Sequence, residues 1–270
     1  MTSTKVPSGF VLAAATASRE WLSHRANRFL YWHLGLLGAT GVLAVLIAPE
    51  QSERGVAWFI LSGVLYVLSL SSLLLGLSSA QAETEELPFL ATQPMGVVPW
   101  VLGKAAGLLT IVIPAAALLL LPWILANGWS SLLAALAAAA GLVCAVFSLL
   151  GLAVGLWVHD HVRALIAALA LWFLLLFGAD LLLLLAAGSA WVRDHPGGWA
   201  LPLMLNPLDA FRITVMFHLE NAAFNTMGAG RLVSWWTRHS ALWLACCLAG
   251  WTALTLAAAI VAARRVRFGR

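Results

Sequence analysis

The chain has 270 residues, of which 62% are hydrophobic and only 10% are charged. Soluble globular domains have roughly 45–50% apolar and about 25% charged residues, so this composition excludes a soluble domain and indicates an integral membrane protein. The formal net charge of +4 is not gathered into a clustered basic face, which argues against a nucleic-acid-binding protein.

The first predicted element precedes the apolar runs and covers residues 10–28. Phe10, Ala14, Ala17 and Trp21 fall on one face of a helix, and Arg19 falls on the opposite face. This pattern predicts an amphipathic helix that lies in the membrane interface and contacts lipid. The alternative is an unremarkable polar extension of the first membrane span.

Six long apolar runs follow, and each is about 20 residues or longer, which is enough to cross a bilayer as a helix. They cover residues 29–48, 56–79, 98–125, 130–158, 164–188 and 241–262. Because these runs do not alternate between apolar and polar residues, they predict helices rather than barrel strands. Pro99, Pro114 and Pro122 predict a kink in the third run. Residues 1–270 are therefore predicted to form a single all-α transmembrane domain.

The distribution of Lys and Arg predicts the orientation of this domain. If the N-terminus is inside, ten of the 15 Lys and Arg residues fall on the inner side of the membrane. Four of the other five lie in one long outer segment, residues 189–240, where the positive-inside rule is weak. Both termini are therefore predicted to be cytoplasmic.

The loop between the second and third runs, residues 80–97, contains the only strongly acidic stretch of the chain. Three glutamates lead into an apolar patch and then into a turn. The residues are Glu83, Glu85, Glu86, Leu87, Phe89, Leu90, Thr92 and Pro94. An ordinary solvated loop does not explain an apolar patch outside the bilayer. The pattern predicts a docking element for a soluble partner on the cytoplasmic side.

The outer segment, residues 189–240, carries a second polar pattern. Asn206-Pro207 is a turn signal, and Asp209 falls near the start of the helix that follows, where an acidic residue is favoured. Arg212 lies three residues further on and can pair with Asp209. One interpretation is a turn and a short helix packed on the outer membrane face. The other is a docking surface for an extracytoplasmic partner, formed by Asn206, Pro207, Asp209, Phe211 and Arg212.

The remaining ionisable residues do not form a recognisable catalytic or metal site. Asp180 is the clearest acid inside an apolar run, where a charge is costly, and we expect it to be solvated or bonded to a neighbouring helix. His159 and His161 end a run at the inner face, and a spacing of two does not converge on a metal. The Gly103-Lys104 pair does not belong to a phosphate loop. The sequence therefore predicts no catalytic residue, no metal ligand and no cofactor in this chain.

Residues 82–104 resemble the loop between the second and third spans of export-type, or type-2, ABC transporter permeases. The shared elements are the acidic run, a short apolar helix, a Thr-x-Pro turn at Thr92–Pro94 and Leu-Gly-Lys at residues 102–104. The basic N-terminal lead-in and the six spans are also similar. One departure is Pro88, because these permeases usually have an uninterrupted short helix at that point.

The resemblance implies a multi-pass subunit of the bacterial inner membrane that works as a homodimer. A separate cytoplasmic ATPase would bind ATP and Mg and would hold the apolar patch of the loop, residues 80–97, in a groove. In this role the loop residues from Glu83 to Pro94 would couple the chain to the ATPase. The apolar residues Leu87–Leu90 would form the short coupling helix, which would begin at Leu87 or Pro88, and the glutamates would contact the rim of the groove. Two alternatives stay open, which are a secondary transporter driven by an ion gradient and an intramembrane enzyme.

A narrower resemblance concerns the segment Asn-Pro-x-Asp-x-x-Arg, residues 206–212. It is similar to a segment of permeases that serve the maturation of nitrous oxide reductase, which work with a cytoplasmic ATPase and a periplasmic partner in assembling a copper centre. This likeness implies that ATP hydrolysis would be coupled to maturation of an extracytoplasmic copper enzyme. The broader resemblance implies export, and the substrate cannot be read from the residues.

Overall fold

A computed structural model of the chain describes residues 8–25, 27–47, 53–82, 96–186, 196–219 and 231–268. The residues in these ranges form helices joined by short connections and include no strand. The helices are α1 (Gly9–Arg25), α2 (Arg28–Ile47), α3 (Glu53–Ser62), a π-helical stretch (Gly63–Leu68), α4 (Ser69–Ala82), α5 (Val97–Ala117), α6 (Leu121–Asn127), α7 (Ser131–Trp157), α8 (His161–Ala186), α9 (Pro196–Leu205), α10 (Pro207–Leu219) and α11 (Arg231–Phe268).

Six helical segments in the described ranges are long and apolar enough to cross a membrane. They are Arg28–Ile47, Gly55–Ala82, Val97–Ala117, Ser131–Trp157, His161–Leu182 and Arg238–Arg265. The prediction of an all-α protein with six candidate spans is therefore confirmed. The second span is continuous from α3 through the π-helical stretch into α4, where the N–H of Ser69 donates to the carbonyl of Val64, five residues earlier.

The third span ends earlier than the apolar run that predicted it. Helix α5 ends at Ala117, a turn covers residues 118–120, and the short helix α6 follows. Pro114 lies inside α5, and Pro122 occupies the first turn of α6, where a missing N–H does no harm. The run in which a kink was expected is therefore divided by a break between two helices. Gly128, with φ of 86°, ends α6 in the left-handed region that favours glycine.

Helices α4 and α7 form the centre of the bundle. In the span that contains α4, 72% of the apolar stretch is buried inside the bundle, and in α7 the share is 61%. In the spans of α2, α8 and α11 the share is 22% each. At the α4–α7 crossing, a Cβ on Gly76 would overlap the backbone carbonyl of Ser148, and one on Gly151 would overlap the carbonyl of Leu73. The two backbones are therefore in direct contact, as small residues allow in membrane helices.

The outer surface of the bundle is apolar, which is the reverse of a soluble protein. Large side chains such as Leu46, Leu174, Leu185 and Leu254 are more than half exposed. Soluble monomers rarely expose contiguous apolar patches of this extent. Lipid is the solvent that such a surface requires, which agrees with the composition and with the six candidate spans.

We predict that Gly151→Val disrupts the bundle, whereas Gly250→Val does not. A side chain at position 151 meets backbone that cannot move aside, and overpacking typically costs about 1–3 kcal/mol or more. A Cβ on Gly250, which is also helical, has nothing within 4 Å, so it controls for the change in helix propensity. The thermal midpoint of the purified protein in detergent measures the effect. Equal midpoints for the two variants would contradict the crossing.

Candidate functional site

Helix α1 runs parallel to the first half of α5 and contacts its backbone. A Cβ on Gly103 would overlap Ala13, and a Cβ on Gly107 would lie 3.1 Å from the Cα of Ala17. The contacts advance in the same direction along both helices. Gly103 and Gly107 are four residues apart, which is the small-xxx-small spacing that allows close approach of membrane helices. The side chain of Lys104 therefore starts directly beside α1.

A buried carboxylate, Glu20 of α1, joins three helices. The Lys104 ammonium on α5 donates to Glu20 Oε2 at 2.7 Å. His24 Nε2 lies 2.9 Å from Glu20 Oε1, and the hydroxyl of Ser79 on α4 donates to the same oxygen. Glu20 is 3% exposed and Lys104 is 1% exposed, so water does not screen the pair. We call Glu20, His24, Ser79 and Lys104 the inner polar cluster.

The inner polar cluster keeps Glu20 ionised. Burial alone would raise the pKa of this carboxyl, but the hydrogen bond from His24 and the charge and hydrogen bond of Lys104 outweigh it. With the hydroxyl of Ser79 they lower the pKa of Glu20 to about 2. A depressed pKa means that the interaction stabilises the fold above the ordinary value of 4.5, and that this stabilisation is lost only as the pH falls towards 2.

The inner polar cluster includes a residue from each of the two helices that flank the acidic loop. Ser79 lies in the last turn of α4, which ends at Ala82, and Lys104 lies in α5, which begins at Val97. Glu20 therefore binds the two helices on either side of the loop. The predicted loop residues, Glu83, Glu85, Glu86, Leu87, Phe89, Leu90, Thr92 and Pro94, lie outside the described residues. Their coupling role stays a prediction.

Helix α1 turns its polar face inward and its apolar face outward. Thr16, Glu20 and His24 are buried, whereas Phe10 is 83% exposed and Trp21 is 46% exposed. A soluble amphipathic helix would have the opposite arrangement. Of the predicted apolar face, Phe10, Ala14 and Trp21 are exposed, whereas Ala17 packs against Gly107 of α5. The position of α1 in the interface stays a prediction. No pattern in the sequence predicts the contact between Glu20 and Lys104. Lys104 entered only as one of the inner cations and as part of the Gly-Lys and Leu-Gly-Lys motifs.

A second polar cluster lies where α8 meets α10, at the opposite end of the bundle from the inner polar cluster. Arg212 donates to Asp180 through Nη1 at 2.9 Å and through Nη2 at 2.8 Å, a bidentate pair between the two helices. The same Nη2 lies 2.8 Å from Asp209 Oδ1. Asn206 Nδ2 donates to Asp209 Oδ2 at 2.7 Å and to the carbonyl of Leu175 at 2.6 Å. We call Asn206, Asp209, Arg212 and Asp180 the outer polar cluster.

The outer polar cluster contains two carboxylates and one guanidinium. Burial raises the pKa of Asp209 to about 6, because the repulsion from Asp180 adds to it and the attraction of Arg212 and the Asn206 hydrogen bond only partly oppose it. The hydrogen bonds to Asp180 raise the pKa of the Arg212 guanidinium, which therefore stays charged. When both carboxylates are ionised, the cluster carries one more negative charge than positive charge.

Several predictions about the outer segment are confirmed by this geometry. Asn206 forms the bend between α9 and α10, Asp209 lies in the first turn of α10, and Asp209 pairs with Arg212. Asp180 is bonded to a neighbouring helix, as one of its two expected states required. The interpretation as a turn and a short packed helix therefore agrees with the described part of the segment. Residues 189–195 and 220–230 lie outside the described residues.

The docking interpretation needs a correction. Phe211 is 0% exposed and belongs to the main hydrophobic core, so its side chain is not available to a partner. Pro207 and Asp209 are also buried, and Asn206 is 9% exposed. Of the five residues assigned to docking, Arg212 alone is partly exposed. The sequence pattern could not separate a polar surface from a polar network that holds two helices together.

The histidines that follow the C-terminal end of α7 do not form a group of metal ligands. His159, Asp160 and His161 are exposed, and Asp160 Oδ1 accepts the backbone N–H of Arg163 at 2.8 Å. Asp160 therefore caps the N-terminus of α8, which explains its presence without a metal. Among the described residues, no group of three or more His, Cys, Asp or Glu could hold a metal ion.

Comparison with known proteins adds no family assignment. No protein-family model matches the chain, and no curated protein matches it. The described residues define a helical membrane protein with six candidate spans and two interhelical polar clusters.

We predict that Lys104→Met destabilises the protein far more than Arg163→Met. The first change leaves the buried Glu20 carboxylate without its cation, which typically costs about 3–5 kcal/mol. The second removes an exposed cation from the same end of the bundle. The double variant Glu20→Gln/Lys104→Met should regain much of the loss, because neither charge is then unpaired. Thermal midpoints in detergent measure all three, and equal losses for the two single variants would disprove the role of the pair.

We also predict a pH-dependent stability that depends on Asp209. Because the folded pKa is raised from 3.8 to about 6, folding favours the protonated acid. The resulting stabilisation is complete below pH 3.8 and is lost as the pH rises through about 6. The thermal midpoint of the wild type should therefore fall, relative to Asp209→Asn, across this window. Parallel pH profiles for the two proteins would contradict the raised pKa.

Proposed function

We propose that this chain is the membrane-spanning permease subunit of an ABC transporter, acting as a homodimer with a separate cytoplasmic ATPase that binds ATP and Mg. The observation that carries the proposal is the inner polar cluster. Ser79 and Lys104, on either side of the acidic loop, bind the same carboxylate of α1. A loop that receives force from a soluble partner needs its two flanking helices to move together, and this cluster joins them.

The mechanism follows from that connection. The ATPase would hold the apolar patch of the loop, and closure around ATP would displace α4 and α5. Because Glu20 and Lys104 are buried and unscreened, their separation is strongly disfavoured, so α1 moves with both helices. Helix α4 in turn contacts α7 at Gly76 and Gly151, which passes the motion to the centre of the bundle.

The outer polar cluster lies at the other end of the bundle and could receive this helix motion. Arg212 joins α8 to α10, and its pair with Asp180 is partly exposed. A shift of α8 would change this bidentate contact and with it the position of α10. This arrangement supports the transfer of a conformational change to the extracytoplasmic side, either for export or for the maturation of a partner enzyme such as a copper enzyme. The proposal that the partner enzyme is nitrous oxide reductase rests on the similarity of residues 206–212 to a segment of the permeases that serve its maturation.

A secondary transporter driven by an ion gradient is the second candidate. A carrier of this kind that is driven by protons needs a titratable group that binds and releases a proton within the transport cycle. The pKa of Glu20, lowered to about 2 by its partners despite burial, does not suit a proton carrier. Asp209 has a more suitable pKa, raised to about 6 by burial, but it is tied to Asn206 and Arg212. The balance favours the ATP-driven permease.

The test is co-purification of an ATPase with the tagged chain. Phe89→Asp should abolish it, because a charge without a partner is strongly unfavourable in an apolar groove. Phe89→Leu keeps an apolar side chain and should retain the ATPase, which makes it the matched control. Both variants should insert in the membrane at wild-type levels. Co-purification and transport that survive Phe89→Asp would remove Phe89 as an anchor, and transport without any ATPase would favour the secondary carrier.

A further inference from the structure

We propose that a groove between α1, α2 and α5 binds a phospholipid with an anionic headgroup. The groove has a volume of about 280 Å³ and is lined by Trp21 and Arg25 of α1, by Leu30 and Leu34 of α2, and by side chains of α5 that include Ile111 and Pro114. This site is independent of the proposed ATPase partner and needs only that the six apolar helices cross a membrane.

The groove has one cationic end and an apolar length. Arg25 is the last residue of α1, and its exposed guanidinium has no hydrogen-bond or ion-pair partner among the described residues. Beyond Arg25, Leu30 and Leu34 follow within the first two turns of α2. The wall continues along α5 from Thr110 to Ala115 and reaches Leu118 in the turn that follows α5.

The shape of the turn between α1 and α2 holds the cation at this end. The hydroxyl of Tyr31 donates to the backbone carbonyl of Arg25 at 2.8 Å, which fixes the start of α2 against the end of α1. On the other side, Glu20 and His24 are buried against α5 and keep α1 in place. Trp21, 46% exposed, lies one turn before Arg25, where an amphipathic ring suits the headgroup region.

These features together identify a lipid rather than a free anion as the occupant. A free phosphate would be held by Arg25 alone, because the rest of the lining is almost entirely apolar. A phospholipid would place its phosphate at Arg25 and an acyl chain along Leu34 and Pro114. Since bulk lipid tails are as apolar as these side chains, selectivity must come from the headgroup charge. One Arg near the surface is worth about 1 kcal/mol, or about a fivefold preference for an anionic over a zwitterionic lipid.

Native mass spectrometry of the delipidated full chain in detergent tests the proposal, with dioleoyl-phosphatidylglycerol and dioleoyl-phosphatidylcholine as probes. The wild type should retain phosphatidylglycerol at least about fivefold better. Arg25→Gln should remove this preference and Arg25→Lys should keep most of it. Arg163→Gln, which removes an exposed cation at the same end of the bundle, is the matched control and should behave like the wild type.

A second variant tests the apolar part of the groove. Leu34→Trp fills the groove and should lower retention of both lipids without changing their ratio. Equal loss of selectivity in Arg25→Gln and Arg163→Gln would overturn the proposal, as would unchanged retention in Leu34→Trp. Displacement of phosphatidylglycerol by inorganic phosphate would also overturn it, by making the site one for a free anion. A lipid-independent dimer that Leu34→Trp dissociates would assign the groove to a second copy of the chain.

Discussion

The ion pair between Glu20 and Lys104 sets the arrangement of α1, α4 and α5. Neither charge is exposed, and each would be several kcal/mol less stable if left alone in a medium of low dielectric. The pair requires α1 and α5 to lie close together, and Gly103 and Gly107 make that possible by removing side chains from the contact. The hydroxyl of Ser79 then adds α4 to the same carboxylate. Helix α1 is thereby held as one unit with α4 and α5, from which it is distant in sequence.

The two polar clusters differ in how their charges balance. The inner polar cluster matches one carboxylate with one ammonium, and His24 and Ser79 bind the other carboxylate oxygen. The outer polar cluster sets Asp180 and Asp209 against the single guanidinium of Arg212. One carboxylate is therefore always in excess when both are ionised. The first arrangement suits a permanent connection, and the second suits a contact whose strength changes with protonation or with a nearby cation.

The sequence predicted those features that depend on local spacing. The six spans follow from the length of the apolar runs, the break after α5 follows from its prolines, and the Asp209–Arg212 pair follows from a spacing of three. Contacts between residues that are distant in sequence could not be predicted. Glu20 lies 59 residues from Ser79 and 84 from Lys104, and Asp180 lies 32 from Arg212. No periodicity in one helix reveals which side chain of another helix will face it.

In α1 and in the outer segment, polar residues lie at contacts between helices where the sequence pattern did not predict them. In α1 the apolar residues defined the face of interest, but in a lipid environment the polar face packed inward and carried the ion pair. In the outer segment, polar residues suggested a surface, but Asn206 and Asp209 are buried because they bond each other and the backbone of α8. Polarity marks an exposed surface in water, whereas in this bundle it marks the contacts between helices.

The π-helical stretch at Gly63–Leu68 has a consequence for the register of the second span. A π-helical turn accommodates about one residue more than an α-helical turn, so it is equivalent to an insertion that the helix has absorbed. Each α-helical residue advances the helix by about 100°. A helical wheel drawn through residues 56–79 as one regular helix would therefore misplace every side chain of α3 relative to α4 by about that angle. Ser69 and Ser72, which reach Trp172 and Cys144, hold their positions because this one extra residue lies before them.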